Sequence, residues 1–179
     1  MLAPLSSLLH SAQSFADISC FLRQGVADEE SRELRDSIGA LALHIDATVR
    51  VRRRRSHALA IERQAAALAH GVLEHQLFLS RTAAVWKSLY EFGAYQGALR
   101  ELAAAIAGWQ QALDLRSAQE GANFDRMELL AWRTLGEGLL LIDMYHQCAP
   151  HLADLPGGTS AGAVLTIWRR AHRWWRRLR

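Results

Sequence analysis

Between Pro4 and Pro150 the chain contains no proline, and Ala, Leu, Glu, Gln and Arg dominate the intervening stretch. Proline breaks helices more strongly than any other residue, and those five are among the best helix formers. No run of alternating β-branched residues interrupts them, so no strand is expected. The fold class that follows is all-α. Helices of ordinary length are far commoner than one uninterrupted rod. The expected architecture is therefore a bundle of about five helices plus a C-terminal basic amphipathic helix.

With 179 residues, 50% hydrophobic and 22% charged, the chain is too apolar to be disordered and long enough to bury its own core. Residues 1–155 read as the bundle. Residues 156–162, Pro-Gly-Gly-Thr-Ser-Ala-Gly, read as a flexible connector, and 163–179 as the last helix.

Within the bundle, a first helix is expected from about Pro4 to Leu22, with Gly25 as its stop. Asp28, Glu29 and Glu30 place acids where a second helix would start, and Leu34, Ile38, Leu41, Ile45 and Val49 give it one apolar stripe. A third segment carries Leu59, Ala66, Leu73 and Leu77. A fourth carries Val85, Leu89, Phe92, Gln96, Leu99, Ile106 and Leu113, close to a 3.5-residue repeat. Ser117 with Glu120 fits a capping box, with Asn123 as a competing N-cap. A fifth helix over roughly 124–148 holds Met127, Leu130, Ala131, Leu135, Leu139, Ile142 and Tyr145. Residues 139–142 are apolar all round, which marks this helix as the most buried.

Cys20 and Cys148 lie far apart with no CxxC or Cys/His cluster, so both are expected to be small buried hydrophobes. The first ten residues lack a basic region followed by a continuous apolar run, unlike a secretory signal. The longest aliphatic run, Leu139–Ile142, is far short of the ~20 residues of a transmembrane helix. A cytoplasmic location is the resulting expectation.

The cationic residues are unevenly placed. There are 20 Arg and one Lys, Lys87. In 163–179, Val164, Ile167, Trp168, Ala171, Trp174, Trp175 and Leu178 fall within about a third of a helical circumference. Arg169, Arg170, Arg173, Arg176 and Arg177 fill the opposite side, with His172 and Arg179 at its edge. This segment has six Arg and no acid, so the rest of the chain holds 15 basic against 18 acidic groups, a net of −3. The second cluster is a collar, Arg50, Arg52, Arg53, Arg54 and Arg55, whose guanidiniums point nearly all round a helix axis. No side of such a turn can be buried cheaply, so the collar must be an exposed helix end or an interhelical turn, with Asp46 and Glu62 near enough in sequence to neutralise part of it.

Guanidiniums match phosphate geometry and indoles stack on bases, so both clusters fit nucleic-acid backbone. The same C-terminal stripe, Trp168, Trp174, Trp175 and Leu178, would equally serve to dock on the bundle itself, leaving the arginines as its solvated face, or on a partner protein or an anionic membrane. Other constellations are thin. His70 with Glu74, and Asp143 with His146, share helix faces, but there is no Glu-x-x-His motif, so no metal is expected. His70 lacks the pattern of a phosphotransfer histidine. No GxSxG, Walker A or strand-linked GxGxxG occurs. Gly93 and Gly97, four apart, would permit close helix approach or mark a kink.

The leading expectation is a non-enzymatic helical subunit that binds RNA or DNA backbone through its Arg clusters within a larger nucleoprotein assembly. It has no cofactor and no small-molecule substrate. The alternative is a protein–protein adaptor, for example of a secretion or conjugation machine, and a further one is a peripheral membrane protein.

Overall fold

The computed structural model describes residues 12–23, 29–54, 56–87 and 89–153. Five helices make up this part: α1, Phe15–Arg23; α2, Glu29–Arg53; α3, Ala58–Trp86; α4, Tyr90–Asp114; and α5, Glu120–Ala153. No strand occurs among the described residues. The expected C-terminal helix, 163–179, and the connector before it lie outside them.

Short connections between long helices force neighbours to run antiparallel. Helix α2 packs on α3, α3 on α4, α4 on α5, and α5 back on α2. That closes an up-down-up-down four-helix ring, with α1 laid across α2. The cross-links confirm the directions. Ser31 of α2 meets His146 of α5 at one end, whereas Arg52 meets Glu120 at the other.

The α2 stripe folds as its spacing demands, with Leu34, Ile38, Leu41, Ile45 and Val49 all buried. In α5, Met127, Ala131, Leu135, Leu139 and Ile142 are buried, while Leu130, Leu140 and Tyr145 are only half-buried. Helix α5 is therefore one of four helices in the ring and not a central one buried all round. Each fully buried side chain of this size contributes roughly 2 kcal/mol by leaving water. In α4, Phe92, Leu99 and Ile106 face the core.

Several expectations change. The first helix does not run unbroken from Pro4, because residues 12–14 are not helical. Helix α1 starts instead on a capping box. Ser14 Oγ accepts from the Asp17 amide at 3.3 Å, while the Asp17 carboxylate accepts from the Gln13 and Ser14 amides at 2.8 Å. Those amides hold the Asp17 carboxyl below its usual range. Val85 belongs to α3, not to the helix that follows. Cys148 is buried, but Cys20 is exposed.

Glu120 forms no capping box with Ser117, since its carboxylate points to other helices, and the amide of Asn123 is already within α5. The stripe Leu59, Ala66, Leu73 and Leu77 is not the core side of α3. Ala65, Leu68, Val72, His75, Leu79 and Trp86 are buried in its place. Helix α3 is apolar on two sides, and the side carrying Leu59, Leu73 and Leu77 is the one left outside.

Helix α4 ends in a Schellman motif: the Ser117 amide reaches Ala112 O and the Arg116 amide reaches Leu113 O. Arg116 occupies the left-handed position at φ 47°, where glycine is usual. Arg116→Gly is expected to raise stability by about 1 kcal/mol, read as a higher midpoint in urea at unchanged slope.

A polar layer crosses the middle of the bundle. His75 Nδ1 lies 2.6 Å from Ser37 Oγ of α2 and its Nε2 2.6 Å from Tyr95 OH of α4. On the fourth side, Gly138 of α5 makes room: a Cβ there would meet the Tyr95 ring and Ile38 Cδ1 at 3.0 Å. Gly71 is used similarly, since a Cβ would come within 2.8 Å of the His44 ring.

Candidate nucleic-acid interface

The arginine collar occupies the last turn of α2 and the turn after it, which are the two placements its charge density allowed. Its members are not equivalent. Arg50 Nε pairs with Asp46 at 2.6 Å, one helical turn back. Asp46 Oδ1 also accepts from the Ala16 amide at 3.3 Å, so the same carboxylate ties the start of α1 to α2.

Arg52 reaches across the ring. Its Nε and Nη2 bond the two oxygens of Glu120 at 2.9 and 2.6 Å, a bidentate fork. The Trp109 indole N–H of α4 donates to Glu120 Oε1 at 2.7 Å. The Arg52 guanidinium sits 5.6 Å from the centre of the Phe124 ring, and Phe124 packs edge-on against Trp109. Three helices, α2, α4 and α5, are thereby clamped at one end of the bundle.

Burial pushes the Glu120 carboxyl up, but the hydrogen bonds from Arg52 and Trp109 and the Arg52 charge outweigh it, leaving the group below its ordinary range. The hydrogen bond to Glu120 in turn raises Arg52 above its ordinary value. Both groups stay ionised at neutral pH.

Arg53 Nη2 bonds Glu128 Oε1 at 2.6 Å, with the Arg53 side chain 67% exposed. Arg54 is exposed. Arg55, the arginines 169, 170, 173, 176, 177 and 179, and the docking stripe Trp168, Trp174, Trp175 and Leu178 lie outside the described residues. The collar is thus largely answered by carboxylates, from Asp46 as the spacing suggested, and from Glu120 and Glu128 rather than Glu62. Sequence spacing could not show the last two, which are 68 and 75 residues from their partners.

The metal-like pairs do not converge. His70 and Glu74 pair with each other at 3.5 Å on the outside of α3. His146 bonds Ser31 at 3.1 Å, and Asp143 is buried on α5. No group of three or more His, Cys, Asp or Glu able to hold a metal occurs among the described residues. Burial first, and the charge of Glu91 second, push the Cys148 thiol up, away from reactivity. No described helix is long and apolar enough to cross a membrane.

Together these features define an antiparallel helical bundle with an arginine-rich end clamped by its own carboxylates. Comparison with protein-family models, curated proteins and solved structures finds no match to the chain.

Proposed function

We propose that the protein is a non-enzymatic helical accessory subunit that binds nucleic-acid backbone within a larger assembly, with residues 163–179 supplying most of the contacts. One contrast carries this reading. The collar arginines Arg50, Arg52 and Arg53 each face a carboxylate of the bundle, whereas the six arginines of 163–179 have no acid in their segment. Paired guanidiniums add little net field, so phosphate attraction is assigned to the arginines of the acid-free segment, with exposed Arg54 as an auxiliary at the collar. Binding of this kind releases counterions and carries little base selectivity.

Fluorescence anisotropy with labelled single-stranded and duplex probes tests it. Affinity is expected to fall about a hundredfold between ~50 and ~200 mM salt, as about four phosphate contacts require. Changing Arg169, Arg170, Arg173, Arg176, Arg177 and Arg179 to Gln should abolish most of that slope. Arg52→Gln should leave it nearly unchanged. Absence of binding at ~50 mM salt, or binding that ignores salt, would overturn the reading.

A second reading is a protein–protein adaptor that docks through Trp168, Trp174, Trp175 and Leu178, with the exposed Leu59, Leu73 and Leu77 of α3 as further apolar surface for a partner. Deleting 163–179 separates the two. Loss of a co-purifying protein with unchanged nucleic-acid binding supports the adaptor.

A further inference from the structure

Helix α3 carries Leu59, Leu73 and Leu77 at 56%, 52% and 49% exposure. At 100° per residue they and exposed Ala66 lie within about 40° of one another, one stripe some 27 Å long. The stripe starts about 120° round the helix from the middle of the buried side, so it looks straight out of the bundle. Elsewhere such side chains stand alone. Among the described residues, α2 exposes Leu43 and α5 exposes Leu129.

The charges beside the stripe are arranged to match themselves. Exposed Arg63 and Glu74 lie within about 20° of one another on one flank of it. Inside one copy they are about 17 Å apart along the axis, too far to pair. Glu74 touches His70 at 3.5 Å, yet its side chain stays 63% exposed. When two identical helices pack antiparallel about a two-fold axis, each flank meets the same flank of the other copy in reverse order. An axis crossing α3 between Leu68 and Ala69 sets Arg63 opposite Glu74 of the second copy, and Glu74 opposite Arg63. The same axis brings Leu77 to the level of Leu59 and Leu73 over Ala66, each within one or two residues. Charge and apolar shape thus agree on one register.

We propose that the outer side of α3 binds a second copy of this chain, in an antiparallel dimer closed by Leu59, Ala66, Leu73 and Leu77 and by reciprocal Arg63–Glu74 pairs. Parallel pairing would set the two arginine collars side by side. The antiparallel one holds them about 40 Å apart, beyond strong repulsion. One pair of helices buries less than the standard interface of about 1,600 Å², so a roughly micromolar dissociation constant is expected. Dimerisation does not depend on nucleic-acid binding, and is tested without it.

Sedimentation equilibrium of the full chain between about 1 and 100 μM reads it. The native chain is expected to pass from monomer to dimer across that range. Leu73→Glu/Leu77→Glu should stay monomeric with unchanged helical circular dichroism, because both positions are exposed in each copy. Arg63→Glu and Glu74→Arg should each raise the dissociation constant about tenfold. Combined, they should return it to within about twofold of native, a rescue that no contact inside one copy can produce at their separation. Nitroxides on His57→Cys, in a Cys20→Ser background, should lie about 35 Å apart in the dimer, against less than about 20 Å for a parallel pair.

A chain that stays monomeric at about 100 μM overturns the proposal. So does a dimer that survives Leu73→Glu/Leu77→Glu, which would put the interface elsewhere. A double charge exchange that fails to restore association, or the shorter nitroxide distance, overturns it as well.

Discussion

Replacing Glu120 by alanine should lower the stability of the bundle by about 3 kcal/mol, a large effect for a polar side chain at the surface end of a bundle. The carboxylate satisfies two demands at once. It takes both forks of Arg52 and the indole N–H of Trp109, a side chain with no exposed surface. Removing it strands a buried N–H, which costs about 1–3 kcal/mol, and leaves the Arg52 charge partly desolvated beside the Phe124 ring. Arg52→Ala should cost less, because Trp109 keeps its acceptor and Glu120 retains partial access to water. A double-mutant cycle in urea should return a coupling of about 2 kcal/mol. Coupling near zero would mean that the ion pair is merely a surface contact, and would return Arg52 to the pool of arginines available for phosphate.

That result bears directly on what was legible in the sequence. The fold class follows from the absence of proline and the helix-forming composition, and the core stripes of α2 and α5 follow from their spacing. Both are one-dimensional signals, carried entirely within one helix. Glu120 reads locally as half of a capping box, and only the register of α2 against α5 reveals that Arg52 draws it away. The α3 stripe failed for a related reason. Periodicity identifies an apolar side without saying what covers it, and a helix with two such sides offers no internal means of choosing. Gly93 and Gly97 were visible as a close-approach signal. Only the structure shows that no described helix makes that approach, whereas Gly71 and Gly138, which carry no local pattern, are where helices do come close.

Histidine 75 gives the other large effect, and gives it a pH dependence. Its ring is buried between Ser37 and Tyr95, and burial pushes its pKa down to about 4. Burial likewise raises the Tyr95 hydroxyl, so it stays protonated. The imidazole is therefore neutral in the folded bundle: one nitrogen donates, the other accepts, and both hydroxyls are satisfied. An unfolded chain releases this histidine to its ordinary value near 6.5. Between those two values the unfolded state binds a proton that the folded state refuses, so stability is complete above about pH 6.5 and declines as the pH falls toward 4. The loss should reach about 2 kcal/mol at pH 5 and about 3 kcal/mol near pH 4. The Glu120 clamp adds little to this pH dependence above pH 5, because the stabilisation from its depressed carboxyl is fully present there and is lost only in stronger acid. His75→Gln, which still offers a donor and an acceptor, should flatten the urea-midpoint profile between pH 7 and 5. His75→Leu should flatten it and also cost about 3 kcal/mol at pH 7, since Ser37 and the fully buried Tyr95 hydroxyl both lose their partner. A pH 7-to-5 slope that persists in both variants would place the acid sensitivity elsewhere. It would also mean that water reaches the middle layer of the bundle well enough to solvate an imidazolium there.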